Sequence, residues 1–256
     1  MIEKIKPKKN LGQNFLINKY TINTLVEFIN LSENDHILEV GPGQGALTES
    51  IIKKTKHYIG IEKDSNLCEF LKNKYHNIQI KNEDILNTHF EKIYQDKYKI
   101  VGNIPYNIST KLLIKCIENK NNIQNIHFMM QKEFVNRIIS KCNSKSYGRL
   151  TVLMQLFFTC EKLIDIAPSD FFPQPKVNSS FLKLTPIKKI LLKKEEVEGF
   201  LLFTKVIFGK RRKKIRNCLD IKNIDIYDNI NKRAEELNID EMINLYREIN
   251  YDGKFI

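Results

Sequence analysis

"HILEVGPGQGALTESI", residues His36–Ile51, is the stretch on which the fold turns. A short apolar run ends in glycine, Gly41, Gly43 and Gly45 alternate with Pro42 and Gln44, and a helix-like stretch begins near Glu49. Glycines so placed let the backbone turn sharply and approach a ligand with no Cβ in the way. A strand that feeds such a loop and then a helix opens a nucleotide-binding α/β unit, whose ligands sit at the carboxyl edge of the sheet, near the positive end of the helix. "GPGQGA" also satisfies G-x-G-x-x-G/A. Glu62 lies 21 residues beyond Gly41, where an acid would hold a ribose. That pattern alone does not separate a nicotinamide cofactor from other adenosine-containing ones.

The rhythm continues outward from the loop. "HYIGIEKD" (His57–Asp64), "NIQIKNEDIL" (Asn77–Leu86) and "YKIVGNIPY" (Tyr98–Tyr106) read as strands. "ESIIKKTK" (Glu49–Lys56), "SNLCEFLKNKY" (Ser65–Tyr75) and "TKLLIKCIEN" (Thr110–Asn119) read as helices, the second capped by Asp64 or Ser65. "NIHFMMQKEFVNRI" (Asn125–Ile138) starts as a strand and becomes a helix. The alternation predicts an α/β fold with a mostly parallel sheet covered on both faces. From about Ile187 the character changes. Residues 191–219 and 231–249 read as amphipathic helices with no strand between them. The expected division is an α/β domain over residues 1–186 and a helical domain over 187–256.

Composition narrows the class of partner. A formal net charge of +12 favours an acidic partner, nucleic acid or an anionic membrane. The five cysteines are scattered, with no C-x-x-C pair and no histidine at metal spacing, which predicts a reduced, cytoplasmic chain without a metal. "MIEKIKPKKN" has no apolar segment after its charges, so no secretory signal is expected. No run reaches the roughly 18 apolar residues that span a membrane.

The strand ends then carry the chemistry. Glu62, Asp84 and Asn103 each close a predicted strand on one edge of the sheet, a series that suits a nucleoside touching successive loops. "NIPY", Asn103–Tyr106, suits an exocyclic adenine amine, whose lone pair is delocalised into the ring. Acceptors on its N–H groups would favour a tetrahedral nitrogen. Asn103 offers a side-chain oxygen, and residues 104–105 a backbone carbonyl held in place by Pro105. The Tyr106 ring could stack on a base taken out of its helix. With S-adenosylmethionine as methyl donor, catalysis would be alignment and charge stabilisation, with no metal and no covalent intermediate. Read alone, "VGNIPYNIST" fits a strand-end turn equally well, and Asn107 reads as the start of the helix after it.

Seven blocks now stand in order: "LGQNFL" (Leu11–Leu16), "EVGPGQGALT", "NIPYNIST", "MMQKEFVNRI", "SYGRLTVLMQ", "FFPQPKVNSSFLKL" and "FGKRRKKIRNCL". Together they closely resemble the small-subunit ribosomal RNA adenine dimethyltransferases, the KsgA/RsmA family, over nearly the whole chain. The resemblance implies a Rossmann-like class I methyltransferase sheet with a small helical C-terminal domain. It implies transfer of methyl groups from S-adenosyl-L-methionine, leaving S-adenosyl-L-homocysteine, to N6 of two adjacent adenosines near the 3′ end of 16S rRNA. The partner would be the immature 30S subunit, and the enzyme a cytoplasmic monomer.

Carried over by motif, Asn14, Leu16, Gly41, Gly43, Glu62, Asp84 and Asn103 would line the cofactor site. Asn103, Pro105 and Tyr106 would hold the target amine and base. The phenylalanine before the family's P-x-P-K-V segment stacks on the base. That position falls on Phe171, with Phe172 beside it where the family often has a smaller polar residue, so the pair leaves two candidates. Gln174 departs from the commoner proline. In this setting the basic tracts, Lys8 and Lys9 with Lys4 and Lys6, and Lys210, Arg211, Arg212, Lys213 and Arg216 with Lys214, become expected contacts to rRNA phosphates. Two other readings share parts of the pattern: the 23S rRNA adenine methyltransferases of the macrolide-resistance type, and a role mainly in ribosome assembly.

Overall fold

The computed structural model describes residues 6–8, 11–188, 191–210, 212–219 and 226–251. Lys4, Lys9 and Arg211, three of the expected phosphate contacts, lie outside the described residues.

Nine strands are described: β1 Phe15–Leu16, β2 His36–Val40, β3 His57–Glu62, β4 Gln79–Asn82, β5 Tyr98–Asn103, β6 Ile123–Gln131, β7 Phe158–Ile166, β8 Phe171–Phe172 and β9 Ser179–Pro186. Seven form one sheet in the order β4-β3-β2-β5-β6-β9-β7, and β1 pairs with β8 in a separate ribbon. β2 runs parallel to β3 and β5, β3 to β4, and β5 to β6, whereas β9 joins β6 antiparallel. The α/β expectation holds, with this antiparallel edge added. The chain winds outward from β2 to β4 and then returns to β5 on the other side of β2. That reversal opens a crevice at the carboxyl ends of β2 and β5.

Burial explains the central strands. β2 is buried from Ile37 to Val40 and β5 from Tyr98 to Gly102, as expected for strands covered on both faces. The one charge inside β5, Lys99, is neutralised there: its Nζ donates to Asp35 at 2.8 Å and to the Asn30 carbonyl at 2.8 Å. Helix α1, Lys19–Ile29, begins at Asn18, whose side chain accepts from the Tyr20 and Thr21 N–H groups. Helix α3, Ser65–Lys74, is capped by Asp64 through the Asn66 N–H, as the sequence predicts.

Two local expectations change. The helix after the glycine loop, α2, covers only Thr48–Ile51. Its C-cap is Ile52, and beyond it Thr55 turns its Oγ1 onto the Glu33 and Asp35 carbonyls. One turn aligns few peptide dipoles, so little macrodipole acts at the loop. Helix α4, Ser109–Glu118, starts after Ile108, and the exposed Asn107 is not its cap; helix α5, Lys132–Ile138, follows β6.

Contacts divide the chain into two units. The first is Met1–Val135 with Cys160–Pro186; the second is Asn136–Thr159 with Ile187–Ile256. The expected break after Pro186 coincides with one join, but residues 136–159 group with the C-terminal stretch. Helix α6, Arg149–Phe157, is the reason: Arg149 Nη2 donates to the Leu201 carbonyl at 3.4 Å, and the Phe157 carbonyl accepts from the Ile187 N–H at 2.9 Å. Within the second unit the expected long helices are short. Helix α7 spans Val197–Gly209 and α8 Ile239–Tyr251, and of the basic stretch between them residues 212–214 are non-helical and Ile215–Asn217 form a single 3-10 turn. Among the described residues no helix is long and apolar enough to cross a membrane.

Candidate active site

The site lies in the first unit, at the crevice. One cavity is lined by the glycine loop, the ends of β3 and β5, the loop after β4, the segment Leu11–Leu16, and Phe171. Asn14, Leu16, Gly41, Gly43, Glu62, Asp84, Asn103, Pro105, Tyr106 and Phe171 all border it. Residues spread over more than 150 positions in the sequence thus meet in one place.

The glycine loop shows why glycine is required. Gly41 and Gly43 sit at φ +62° and +60°, where side chains are strained. A Cβ on Gly41 would meet nothing within 4 Å, so that face of the loop is an open cradle. A Cβ on Gly43 would press the Phe15 ring at 3.2 Å, because β1 packs against the loop.

Glu62, at the end of β3, is buried and bonded at both oxygens. One accepts the Gly43 N–H at 3.1 Å and the other the Asp64 N–H at 2.9 Å. Burial raises its pKa despite those two bonds. Glu62 borders the cavity, and a carboxylate with two such bonds keeps lone pairs for a hydroxyl donor. Asp84 is the opposite case. Burial resists its ionisation, but the Lys63 ammonium at 2.9 Å and the Leu86 N–H at 2.9 Å hold its pKa below the usual range. Beneath the loop, Glu39 accepts from the Thr48 and Tyr58 hydroxyls, both at 2.7 Å, and complete burial pushes it up to about 7.

At the end of β5, the Asn103 Nδ2 donates to the Asn14 carbonyl at 2.7 Å. With nitrogen so committed, the amide oxygen is the face left for a ligand. The Ile104 N–H bonds the Met129 carbonyl at 3.0 Å, tying the turn to β6. Pro105 gives its carbonyl to the Ile108 N–H at 3.2 Å. The Tyr106 hydroxyl meets Ser179 Oγ at 3.2 Å, which fixes the ring from β9.

Adjacent residues on a strand point to opposite faces, and this separates the two phenylalanines. In the β1–β8 ribbon Leu16 faces Phe171 and Phe15 faces Phe172. Phe171 is 2% exposed and borders the cavity; Phe172 is 60% exposed and does not.

Sequence reading missed Gln13, Lys63, Ser179 and the second task of Asp64. Asp64 is buried, and besides capping α3 it accepts from Lys8 Nζ at 2.7 Å and Gln13 Nε2 at 3.0 Å. Lys8, expected to face phosphate, therefore spends its charge on a carboxylate of its own chain. Nothing in the spacing of residues 8, 13 and 64 announces this contact.

The expected basic tract lies in the second unit. Lys210 follows the last residue of α7, and Lys210, Arg212, Lys213 and Lys214 are exposed. Their backbone is pinned beneath: Ile215 is buried, its N–H bonds the Lys232 carbonyl at 2.9 Å, and the Cys218 thiol meets the Lys214 carbonyl at 3.4 Å. Arg216 is half-buried and donates to Asn231 Oδ1 at 3.2 Å. Among the described residues no group of three or more His, Cys, Asp or Glu side chains is placed to hold a metal ion.

The family model described as ribosomal RNA adenine dimethylase matches residues 4–251. A protein of Wigglesworthia glossinidia brevipalpis named ribosomal RNA small subunit methyltransferase A is 41% identical over 251 residues, covering 94% of this chain and 96% of that one. The Chlorobium phaeobacteroides protein of the same name is 36% identical over 250 residues, with 96% and 94% covered. Among solved structures, a dimethyladenosine transferase from Plasmodium falciparum superposes with a TM-score of 0.82 at 24% identity, over 94% of this chain and all of that one (100%). The 23S rRNA methyltransferase ErmE gives 0.72 at 23% identity, over 93% and 100%. These structural likenesses show a shared fold.

Proposed function

The chain belongs to the ribosomal RNA adenine dimethylase family, and from that premise we propose that it methylates N6 of two adjacent adenosines in a hairpin loop near the 3′ end of 16S rRNA. Each adenosine would receive two methyl groups, and the substrate would be the immature 30S subunit. The enzyme would work as a cytoplasmic monomer, with S-adenosyl-L-methionine as donor and S-adenosyl-L-homocysteine as product. The observation that carries this reading is the meeting of the glycine cradle and Glu62 with Asn103, Pro105, Tyr106 and Phe171 around one cavity.

The donor set fits the cofactor. Glu62 has lone pairs for the ribose hydroxyls, the open face at Gly41 admits close approach, and Asn14, Leu16, Gly43 and Asp84 complete the wall. When bound, S-adenosylmethionine supplies an electrophilic methyl group. The chain's own residues prepare the amine. Asn103 Oδ1 accepts one N–H of the target. The Pro105 carbonyl already accepts from the Ile108 N–H and the Ser109 hydroxyl, which leaves the Ile104 carbonyl as the acceptor for the other. Two acceptors draw the nitrogen toward tetrahedral geometry and hold its lone pair in line, a gain of orientation and electrostatics. Neither is a strong base, and the methylated nitrogen releases its proton to water. Tyr106, braced by Ser179, stacks on one face of the base and Phe171 on the other. The exposed cations Lys210, Arg212 and Lys213, with Arg216, meet rRNA phosphates.

The test is direct. Purified protein is given labelled S-adenosylmethionine and immature 30S or 50S particles lacking the modifications. Label recovered as dimethyladenosine in 16S rRNA supports the proposal. Label only in 23S rRNA, or none in either, overturns it.

A further inference from the structure

The segment Leu11–Leu16 borders the cavity and is fastened at both ends. At one end Phe15 and Leu16 pair with Phe172 and Phe171. At the other, three side chains close on one another. Lys8 Nζ bonds Asp64 Oδ1 at 2.7 Å, Gln13 Nε2 bonds Asp64 Oδ2 at 3.0 Å, and Gln13 Oε1 accepts the Lys8 N–H at 2.8 Å. The Asp64 carboxylate is wholly buried while the lysine stays partly in solvent (0% and 40% side-chain exposure). Removing one partner would leave a buried carboxylate uncompensated, so loss of Lys8 or Gln13 is costly at this end.

Between the two anchors stands Asn14, whose carbonyl receives the Asn103 amide nitrogen. That bond decides which way the Asn103 amide faces. A primary amide with its nitrogen committed presents oxygen on the other side, and without the commitment both orientations are open. Asp64 is also joined to the cofactor edge, because its own N–H bonds Glu62.

We propose that Asp64, through Lys8 and Gln13, is a positioning residue for methyl transfer: it clamps the 11–16 strap so that the Asn14 carbonyl holds Asn103 with its oxygen toward the substrate amine. The clamp couples the cofactor edge to the amine acceptor, and it gives Lys8 a task other than phosphate contact. The inference rests on the reading of Asn103 as that acceptor.

The full chain is tested as Lys8→Met, Lys8→Arg and Asp64→Asn, with Asn103→Ala alongside. Asparagine at 64 retains a side-chain oxygen for the α3 cap, and Lys8→Met leaves the cap untouched. Two readouts are taken: amide hydrogen exchange of residues 11–16 in the ligand-free protein, and kcat at saturating RNA and cofactor. Lys8→Met and Asp64→Asn should speed strap exchange about tenfold and lower kcat roughly 10- to 100-fold, the scale of a small misplacement of reacting groups. Lys8→Arg should stay near the parent in both. A Lys8→Met protein with parental exchange and kcat, but a weaker and less salt-sensitive RNA KM, makes Lys8 a phosphate contact and overturns the clamp. Faster exchange with parental kcat makes the clamp purely structural and overturns its catalytic role. An active Asn103→Ala overturns the acceptor reading and the clamp together; an inactive one beside parental Lys8→Met overturns the clamp alone.

Discussion

The cavity at the sheet edge and the basic turn after α7 are both rich in charge, and they hold it in opposite ways. Glu39 and Glu62 in the cavity wall, and Asp64 beside it, are buried, and each is bonded to named N–H or O–H groups of its own chain. In the turn, Lys210, Arg212, Lys213 and Lys214 lie exposed above a backbone anchored by Ile215 and Cys218. Burial makes the first set specific and costly to disturb. Exposure makes the second additive, replaceable and screened by salt. Lys8 marks the boundary: its sequence context matches the second set and its contacts belong to the first.

The sharpest way to break this contrast is Asn103→Ala. Loss of a positioned group in a site of this kind lowers turnover by about 10² to 10³-fold. Single-turnover methylation of 16S particles measures it, with an unchanged melting temperature excluding misfolding. Turnover within a few-fold of the parent would remove Asn103 from the machinery and leave the cavity no more specific than the turn.

A second prediction concerns two buried groups, one that holds its proton on folding and one that refuses it. Glu39 is raised from 4.5 to about 7, so the folded protein keeps a proton that the unfolded chain has released. Stability from this group falls as pH rises from 4.5 to about 7, by roughly 3 kcal/mol in all. His127 acts in reverse. Burial, aided by Lys183 and Lys99, lowers it from 6.5 to about 3, so the unfolded chain takes up a proton that the folded one refuses. Its contribution is complete above 6.5 and is lost as pH falls toward 3. Between 4.5 and 6.5 the two slopes oppose each other. Glu39→Gln should expose the histidine slope, and urea midpoints from pH 4.5 to 8 should then rise more steeply with pH than in the parent. Parallel curves for the two proteins would show that Glu39 is ionised throughout.

The two phenylalanines give a smaller and asymmetric effect. Phe171→Leu, which keeps most of the buried volume, should weaken capture of the target base by about 1–3 kcal/mol, the worth of one base–aromatic stack. Phe172→Leu should leave it unchanged. Quenching of 2-aminopurine placed at the target adenosine reads both, and the reverse ranking would transfer the stacking role to Phe172. Smallest per residue is the basic turn. Arg212→Ala and Lys213→Ala should each reduce the slope of log K against log salt by about 1, with stability within about 0.5 kcal/mol of the parent. A slope equal to the parent's would show that these side chains touch no phosphate.

Much of the site was legible because its residues are required by local geometry. Gly41 and Gly43 adopt positive φ, and Glu62 and Asn103 terminate buried strands, so each has a signature within a few residues of itself. The β1–β8 ribbon and the Tyr106–Ser179 bond had none, since they join segments more than 70 positions apart. The second unit was the least legible. A run of apolar residues at helical spacing extends past Gly209, but α7 ends there, and Ile215 and Cys218 are buried from outside it, the Cys218 thiol reaching back to the Ile207 carbonyl at 3.8 Å.

By itself, then, the sequence determined the α/β alternation, the glycine cradle, the polar strand ends and the family, because periodicity, backbone strain and motif order are local or linear properties. Tertiary structure decided which of two neighbouring phenylalanines borders the cavity, that residues 136–159 join the C-terminal unit, and that Lys8 closes on Asp64. Those outcomes depend on which distant groups compete for one buried position, and only the folded chain sets the distances at which that competition is settled.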